Sequence, residues 1–384
     1  MAIIAVALSV AVMLAAISIV MGFKEEITKK VLGFNPHITV STNQEITDDP
    51  LVSLTPSMKS LLASQPEIKE YTLSATAPAI FKTDNDFKGI YLKTADSQGT
   101  REFLSSQLVA GKIGEKLDTA DVIISEAAAR QLNLKAGDKL PTYFITDNVH
   151  VRPLTVKGIY NSHFDTYDDI FAYGTNALIQ DVGNIKSHEG TTINITINDF
   201  DKINEVAASL QQQLNEAYKT GLVYKPYRVD TALRNGANYF SWLQLLDMNV
   251  VIVLILMTTV ACITLISGIL IIIVDKKRFI AIMKSLGASN KVMRKTFVWL
   301  TLRVALTGLI IGNVLMLALL FIQREYHVIP LKADSYYIDF VPVSISWVAF
   351  AILNASIFII TYLILVFPAR FVGSVSPASS LNME

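Results

Sequence analysis

The chain has 384 residues, 52% hydrophobic and 17% charged, with 33 basic and 33 acidic side chains and a formal net charge of +0. That charge share lies below the rough quarter usual for soluble domains, and a mean hydropathy of +0.42 points to a membrane protein; the neutral balance gives no support to nucleic-acid binding. The one cysteine, Cys262, lies in an apolar run, so no intrachain disulfide forms and the thiol reads as buried and inert.

A membrane helix needs ~20 apolar residues to cross ~30 Å of hydrocarbon. Residues 1–23 form the first such run, without a charge. It is too long for a signal peptide and has nothing basic ahead of it, so it reads as an anchor. It begins at the initiator Met, where a cytoplasmic lead-in is normally found, so the start reads as truncated or misassigned. Residues 24–239 contain no apolar run of that length. "HITVST" and "TTINITI" alternate like strands, as does "HVRPLTVKGIY". "DVIISEAAARQLNLKAGDKL" predicts strand, helix and a Gly137-Asp138 turn. Ile203, Val206, Leu210, Leu214 and Tyr218 recur at helical spacing. This mixture predicts an α+β domain. Within it, "HFDTYDD" places His163, Asp165, Asp168 and Asp169 close together; it reads as a polar loop or as part of a metal site, although the spacing fits no standard one. "NIT" at Asn194 fits a glycosylation acceptor.

A second span follows in 240–275 with its external lead-in, a third in 296–323 with Arg303 as its one charge, and a fourth in 340–367. An external loop, 324–339, joins the last two, and 368–384 form a tail. The fold class is an α-helical membrane protein with four transmembrane helices and a large α+β extracytoplasmic domain between helices 1 and 2. Gly308 and Gly312 form a small-xxx-small pair in the third span, Thr264 and Gly268 a weaker one in the second, and Asn313 and Asn354 are candidates for bonding between helices. Arg303 reads as snorkelling to the cytoplasmic interface.

The loop 276–295 carries seven basic residues and no acidic one. By the positive-inside rule it is cytoplasmic, as is the tail, and 24–239 is extracytoplasmic. Lys24, Lys29 and Lys30 oppose this orientation and are offset by Glu25 and Glu26. Within the loop, Phe279, Ile282, Met283 and Leu286 have the spacing of a short amphipathic helix. Gly287 supplies a stop, and Ser289 or Asn290 a cap for the next helix. The residues alone leave two readings open: a loop that only sets topology, or a rigid element that seats in a partner's groove. The sequence contains no GxxxxGK[ST], HExxH or GxSxG motif, so no ATP-binding or catalytic motif is read in this chain.

"KKRFIAIMKSLGASNKVMRKTF" resembles the coupling segment of the FtsX-like ABC permeases, with Phe279 where an acidic residue often stands. "MGFKEEITKKVLGFNPHITV", "IISEAAARQLNLKAGDKL", "GIYNSHFDTYDDIFAY", "YYIDFVPVSISW" and "FPARFVGSVSPASSL" resemble the lipoprotein-releasing branch, the LolC/LolE-like permeases. His163 stands where that branch commonly has Gly. The turn after Leu140, "PTYFITDNVHVRP", is shorter than the loop by which some members grip a periplasmic chaperone.

The resemblance implies a multi-pass protein of the bacterial inner membrane with a periplasmic domain. Its partners would be two copies of a cytoplasmic ABC ATPase, a second permease subunit, a lipoprotein substrate and a periplasmic lipoprotein chaperone. ATP and Mg would bind the ATPase, leaving this chain without a cofactor or metal. Phe279, Ile282, Met283, Lys284, Leu286, Gly287, Ala288 and Ser289 would couple to the ATPase. Val20, Met21, Phe23, Phe240, Trp242, Leu243, Leu246 and Met248 would line the cargo cavity, against which stands an ordinary aromatic belt with helix packing. Alternatives within the wider family are drug or peptide efflux and mechanical regulation of a periplasmic cell-wall hydrolase.

Overall fold

The computed structural model describes residues 2–114, 116–145 and 149–366. The middle of the turn after Leu140 and the tail 368–384 therefore lie outside the described residues. The chain divides into a helical unit, with described residues from 2–26, 242–331 and 339–366, and an α+β unit of 27–241 and 332–338.

Helix α1 runs Ala2–Phe34, well past the apolar run. The residues beyond Phe23 are good helix formers, and Glu25/Lys29 and Glu26/Lys30 have the i,i+4 spacing that supports an exposed helix. Its 33 residues measure roughly 50 Å at the helical rise, more than a bilayer core requires.

The α+β unit continues with β1 (Ile38–Thr42), β2 (Val52–Ser53), α2 (Pro56–Ala63), β3 (Ile68–Ser74), β4 (Thr76–Lys82), β5 (Phe87–Thr94), α3 (Gln98–Ser106) and β6 (Leu108–Gly111). Then come β7 (Asp121–Ser125), α4 (Glu126–Leu132), β8 (Lys139–Ile145), β9 (Val149–Tyr160), α5 (Asp165–Asp168), β10 (Phe171–Gly174) and α6 (Asn176–Val182). The last are β11 (Glu189–Gly190), β12 (Thr192–Ile197), α7 (Ile203–Lys219), β13 (Tyr227–Thr231) and α8 (Ala232–Asn235).

Strands β13-β1-β12-β3 form an antiparallel sheet. Its alternating residues Ile38, Val40, Ile193 and Ile195 pack on α2 and α7 through Met58, Leu62, Leu210 and Leu214. Tyr218, expected on the α7 stripe, is exposed, and Ala217 is buried instead. The 100° step of a helix carries residue 218 away from the line through Leu210 and Leu214, whereas 217 falls back on it. The second sheet has the order β6-β9-β7-β10-β5-β4-β8. The long β9 pairs with β8 through its first half and with β7 through its second, so the sheet closes on itself like a barrel. Ala77, Phe81, Leu92, Val122, Leu140, Phe144 and Val156 fill it.

The helical unit takes α9 (Ala237–Asp275) from Trp242 onward, with α10 (Lys277–Ser285) and α11 (Asn290–Tyr326). After α12 (Ala333–Tyr336), which lies in the α+β unit, α13 spans Trp347–Val366. Among the described residues four helices, α1, α9, α11 and α13, are long and apolar enough to cross a membrane. Val6, Val10 and Leu14 of α1 form one core with Leu265 and Ile269 of α9, Phe297 and Leu302 of α11, and Leu353 of α13. Gly308 and Gly312 face α1: a Cβ on Gly308 would stand 2.9 Å from the Ile3 carbonyl oxygen, and one on Gly312 2.5 Å from that of Ala7. These two glycines let the helices approach closely. A Cβ on Gly268 would make only an ordinary 3.6 Å contact with Ala2, and the Thr264 hydroxyl bonds to Val260 O in its own helix. Asn313 Nδ2 donates to Asn354 Oδ1 at 2.5 Å, joining α11 to α13.

The orientation has a direct check. Ser289 and Ser187 are both exposed, so a cysteine at either can be labelled. A membrane-impermeant thiol reagent is expected to reach Ser187→Cys from outside and Ser289→Cys only after the cytoplasmic face is opened. Labelling of Ser289→Cys in intact spheroplasts would reverse the orientation.

Candidate coupling surface and cargo-facing helices

Helix α10 has two apolar sides. Ile280 and Ala281 are fully buried in the helical unit, and Met283 packs partly against the same core. Phe279, Ile282 and Leu286, at i, i+3 and i+7, remain 52%, 44% and 77% exposed. Exposed lysines and arginines flank them, Lys276, Arg278, Lys291 and Lys295 among them. The helix ends in a Schellman motif: the Ala288 amide donates to Met283 O and the Gly287 amide to Lys284 O, both at 3.0 Å. Gly287 makes this turn at φ +95°, where a side chain would be strained. Ser289 Oγ then accepts from the Val292 amide at 3.4 Å and caps α11. One short amphipathic helix is thus held by its inner face and by a fixed turn, with its outer apolar face open. Of the eight residues read as coupling, Met283 and Ala288 face the core, Lys284 is half-buried, and Gly287 and Ser289 shape the turn.

The residues read as cargo-facing fall into two groups. Lys24 Nζ pairs with Asp247 at 2.8 Å, tying α1 to α9. Phe23 is adjacent to one end of that bridge, and Leu246 and Met248 flank the other. Val20, Met21, Phe23, Trp242 and Leu246 are half-buried, Leu243 is buried, and Met248 is 63% exposed. Phe240 stands apart: it belongs to the α+β unit and its ring lies 6.4 Å from that of Phe200.

In "HFDTYDD", Asp168 accepts from the Ser162 amide at 3.0 Å and from its hydroxyl at 2.7 Å, while Asp169 pairs with Lys88 at 3.0 Å. Asp168 thus braces the loop itself, and Asp169 ties it to β5. His163 takes φ +61°, which explains why glycine suits that position. Around it three distant segments of the α+β unit meet. Phe34 stacks on Tyr167 at 4.6 Å, Phe164 on Tyr337 at 4.7 Å, and Tyr239 lies 5.0 Å from Phe164. Lys30 Nζ donates to Ser162 O at 2.9 Å and to Tyr337 O at 2.7 Å. The sequence marked the "YDD" and "YYIDF" segments separately; nothing in either showed that they touch.

Burial pushes the Asp168 carboxyl up to about 6, against the pull of its Ser162 hydrogen bonds. A raised carboxyl favours the folded state below its unfolded pKa of about 3.9 and loses that contribution as the pH rises through 6. Asp168→Asn is therefore expected to flatten the pH dependence of thermal stability between pH 4 and 7. Parallel melting curves for the two proteins across that range would refute this assignment.

A MacB-like periplasmic core domain model matches residues 1–213, and an FtsX-like permease C-terminal model matches residues 249–377. The lipoprotein-releasing system transmembrane protein LolE of Haemophilus influenzae is 23% identical over 404 residues, covering 99% of this chain and 92% of that protein. LolC of Xylella fastidiosa, with the same description, is 22% identical over 400 residues, covering 100% and 93%. The solved periplasmic region of MacB from Actinobacillus actinomycetemcomitans is 14% identical, covers 54% of this chain and 95% of that one, and gives a TM-score of 0.37.

Proposed function

Because the chain belongs to the FtsX-like ABC permease family, with a MacB-like periplasmic core domain, we propose that it is the membrane subunit that releases lipoproteins from the outer leaflet of the inner membrane toward the outer membrane. The observation that carries this reading is the likeness to LolE and LolC over essentially the whole chain, domain and spans together. The protein is a multi-pass inner-membrane subunit with a large periplasmic domain, and its family consists of permeases that are not themselves ATPases.

Two copies of a cytoplasmic ATPase, which bind ATP and Mg, work with this chain and a second permease subunit. Closure of the ATPases presses on α10 at Phe279, Ile282 and Leu286. The inner face of α10 and the Gly287 turn pass that movement to α9 and α11 without slack. Cargo acyl chains lie beside the paired segments of α1 and α9, near Val20, Met21, Phe23, Leu246 and Met248. Withdrawing acyl chain from lipid costs about 0.8 kcal/mol per CH₂, so several chains demand the ATPase. A periplasmic chaperone then receives the cargo.

Depletion of the protein in cells tests the reading. Lipoproteins destined for the outer membrane should accumulate in the inner-membrane fraction. Normal lipoprotein sorting combined with a loss of drug export, or with a defect in cell-wall hydrolysis, would replace this function by one of the other family roles. The purified chain alone is expected to hydrolyse no ATP.

A further inference from the structure

Within the α+β unit lies a cleft of about 650 Å³, inside the range of pockets that hold small molecules or short peptides. Two cross-strand rows meet there. On the four-stranded sheet Thr39 lies opposite Asn194, and Asn194 opposite Thr72. These three share the face turned away from the Ile38, Val40 and Ile195 core. On the outside of the barrel Thr76, Lys93 and Tyr173 are in register across β4, β5 and β10, while their neighbours Ala77, Leu92 and Ala172 point inward. All six residues line the cleft.

Lys93 is the unusual member. Its Nζ lies 3.4 Å from Phe34 O and 3.8 Å from the centre of the Phe171 ring. Among the described residues no carboxylate pairs with it, and burial lowers its pKa to about 8. A shielded ammonium without a counter-charge favours an incoming anion. The Tyr173 hydroxyl is buried and has no hydrogen-bond partner among the described residues. Gln98, Gly99 and Thr100 also line the cleft; they form the first turn of the nine-residue α3, whose dipole is positive at that end.

We propose that this cleft binds a short acidic peptide segment, with a carboxylate on Lys93 and the peptide backbone along the Thr39–Asn194–Thr72 row. Thr39, Asn194 and Thr72 put hydroxyl and amide groups in one line across the strands, about 4.8 Å apart, where they can bond to main-chain N–H and C=O groups of a bound segment. A compact phosphate would engage the Lys93 end alone. The inference does not depend on the identity of the transported cargo.

The test uses the full chain in detergent micelles and a fluorescein-labelled five-residue peptide carrying two aspartates, beside a twin in which both are asparagines. The acidic peptide is expected to bind at least about tenfold tighter than its twin, the scale of a charge-assisted contact. Lys93→Met is expected to remove that difference. Gly99→Glu serves as the second variant: a Cβ there meets nothing within 4 Å, and a glutamate in the first turn suits the helix dipole. It places a tethered carboxylate at the cleft and is expected to weaken the peptide by a similar factor with the melting temperature kept or raised. Equal binding of the two peptides, or undiminished binding by both variants, would overturn the proposal. So would inorganic phosphate that binds as tightly as the acidic peptide and displaces it, because the cleft would then be a simple anion site.

Discussion

Ile282→Asp combined with Leu286→Asp is expected to abolish lipoprotein release while the protein still inserts and its periplasmic domain still folds. Both side chains are exposed on the outer face of α10, so the substitution leaves the core around Ile280 and Ala281 intact. Burying each side chain in a partner's groove is worth about 1.5–3 kcal/mol, and each aspartate adds a desolvation penalty there. Together they amount to a loss of association of at least about a hundredfold. Met283→Asp is a poorer probe, because Met283 packs partly against the helical core and its loss would mix uncoupling with unfolding. Co-purification of the ATPase and cargo release in proteoliposomes provide the readout. If ATPase binding and release both survive the double change, α10 is a topology-setting loop and the coupling role fails.

Gly312→Leu is expected to have the largest effect on stability in the helical unit. Its Cβ would stand 2.5 Å from the Ala7 carbonyl oxygen and 3.0 Å from Ala7 Cα. The obstacle is backbone, so relief requires α1 and α11 to separate along a contact that also includes Gly308, Ile3 and Val6. Overpacking a core typically costs about 1–3 kcal/mol, and a clash with helix backbone belongs at the top of that range or beyond it. Gly268→Leu is the matched control, since its Cβ would meet only Ala2 Cβ at 3.6 Å. Thermal unfolding in detergent, followed by size-exclusion chromatography, should show the Gly312 variant losing the folded peak well below the temperature at which the control does. Equal melting of the two variants would show that α1 and α11 do not depend on this contact.

Much of the architecture was legible in the sequence, for reasons that are local. Apolar run length marked all four membrane helices, because ~30 Å of hydrocarbon imposes a minimum on any span. Alternation marked β1, β9 and β12, and the Leu286-Gly287 break with Ser289 marked the turn between α10 and α11, because strand pleating, left-handed glycine and side-chain capping act over a few residues. The extension of α1 to Phe34 is not marked by apolar run length, since its last turns carry no membrane signal and hold their helix through charged residues. The strands β3, β4 and β5 have only the weaker signal of composition: "IKEYTLS", "TAPAIFK" and "FKGIYLKT" carry the β-branched and aromatic content of strands.

The amphipathic pattern of α10 showed that an apolar face exists. Only the packing of Ile280 and Ala281 against the bundle decided which side is covered and which is open. Likewise, the sequence offered Gly308 and Gly312 as a close-packing pair without naming the partner, and the fold supplied α1. Thr76, Lys93 and Tyr173 are spread over nearly a hundred positions, and only strand pairing in the barrel aligns them in one row. Tyr337 and Phe164 meet across a still longer separation. Helix period, span length and turn chemistry are properties of neighbouring residues, so the sequence by itself determined them. Register between distant strands and the choice of a helix's buried side depend on the summed packing of the whole unit, so only the tertiary structure decided them.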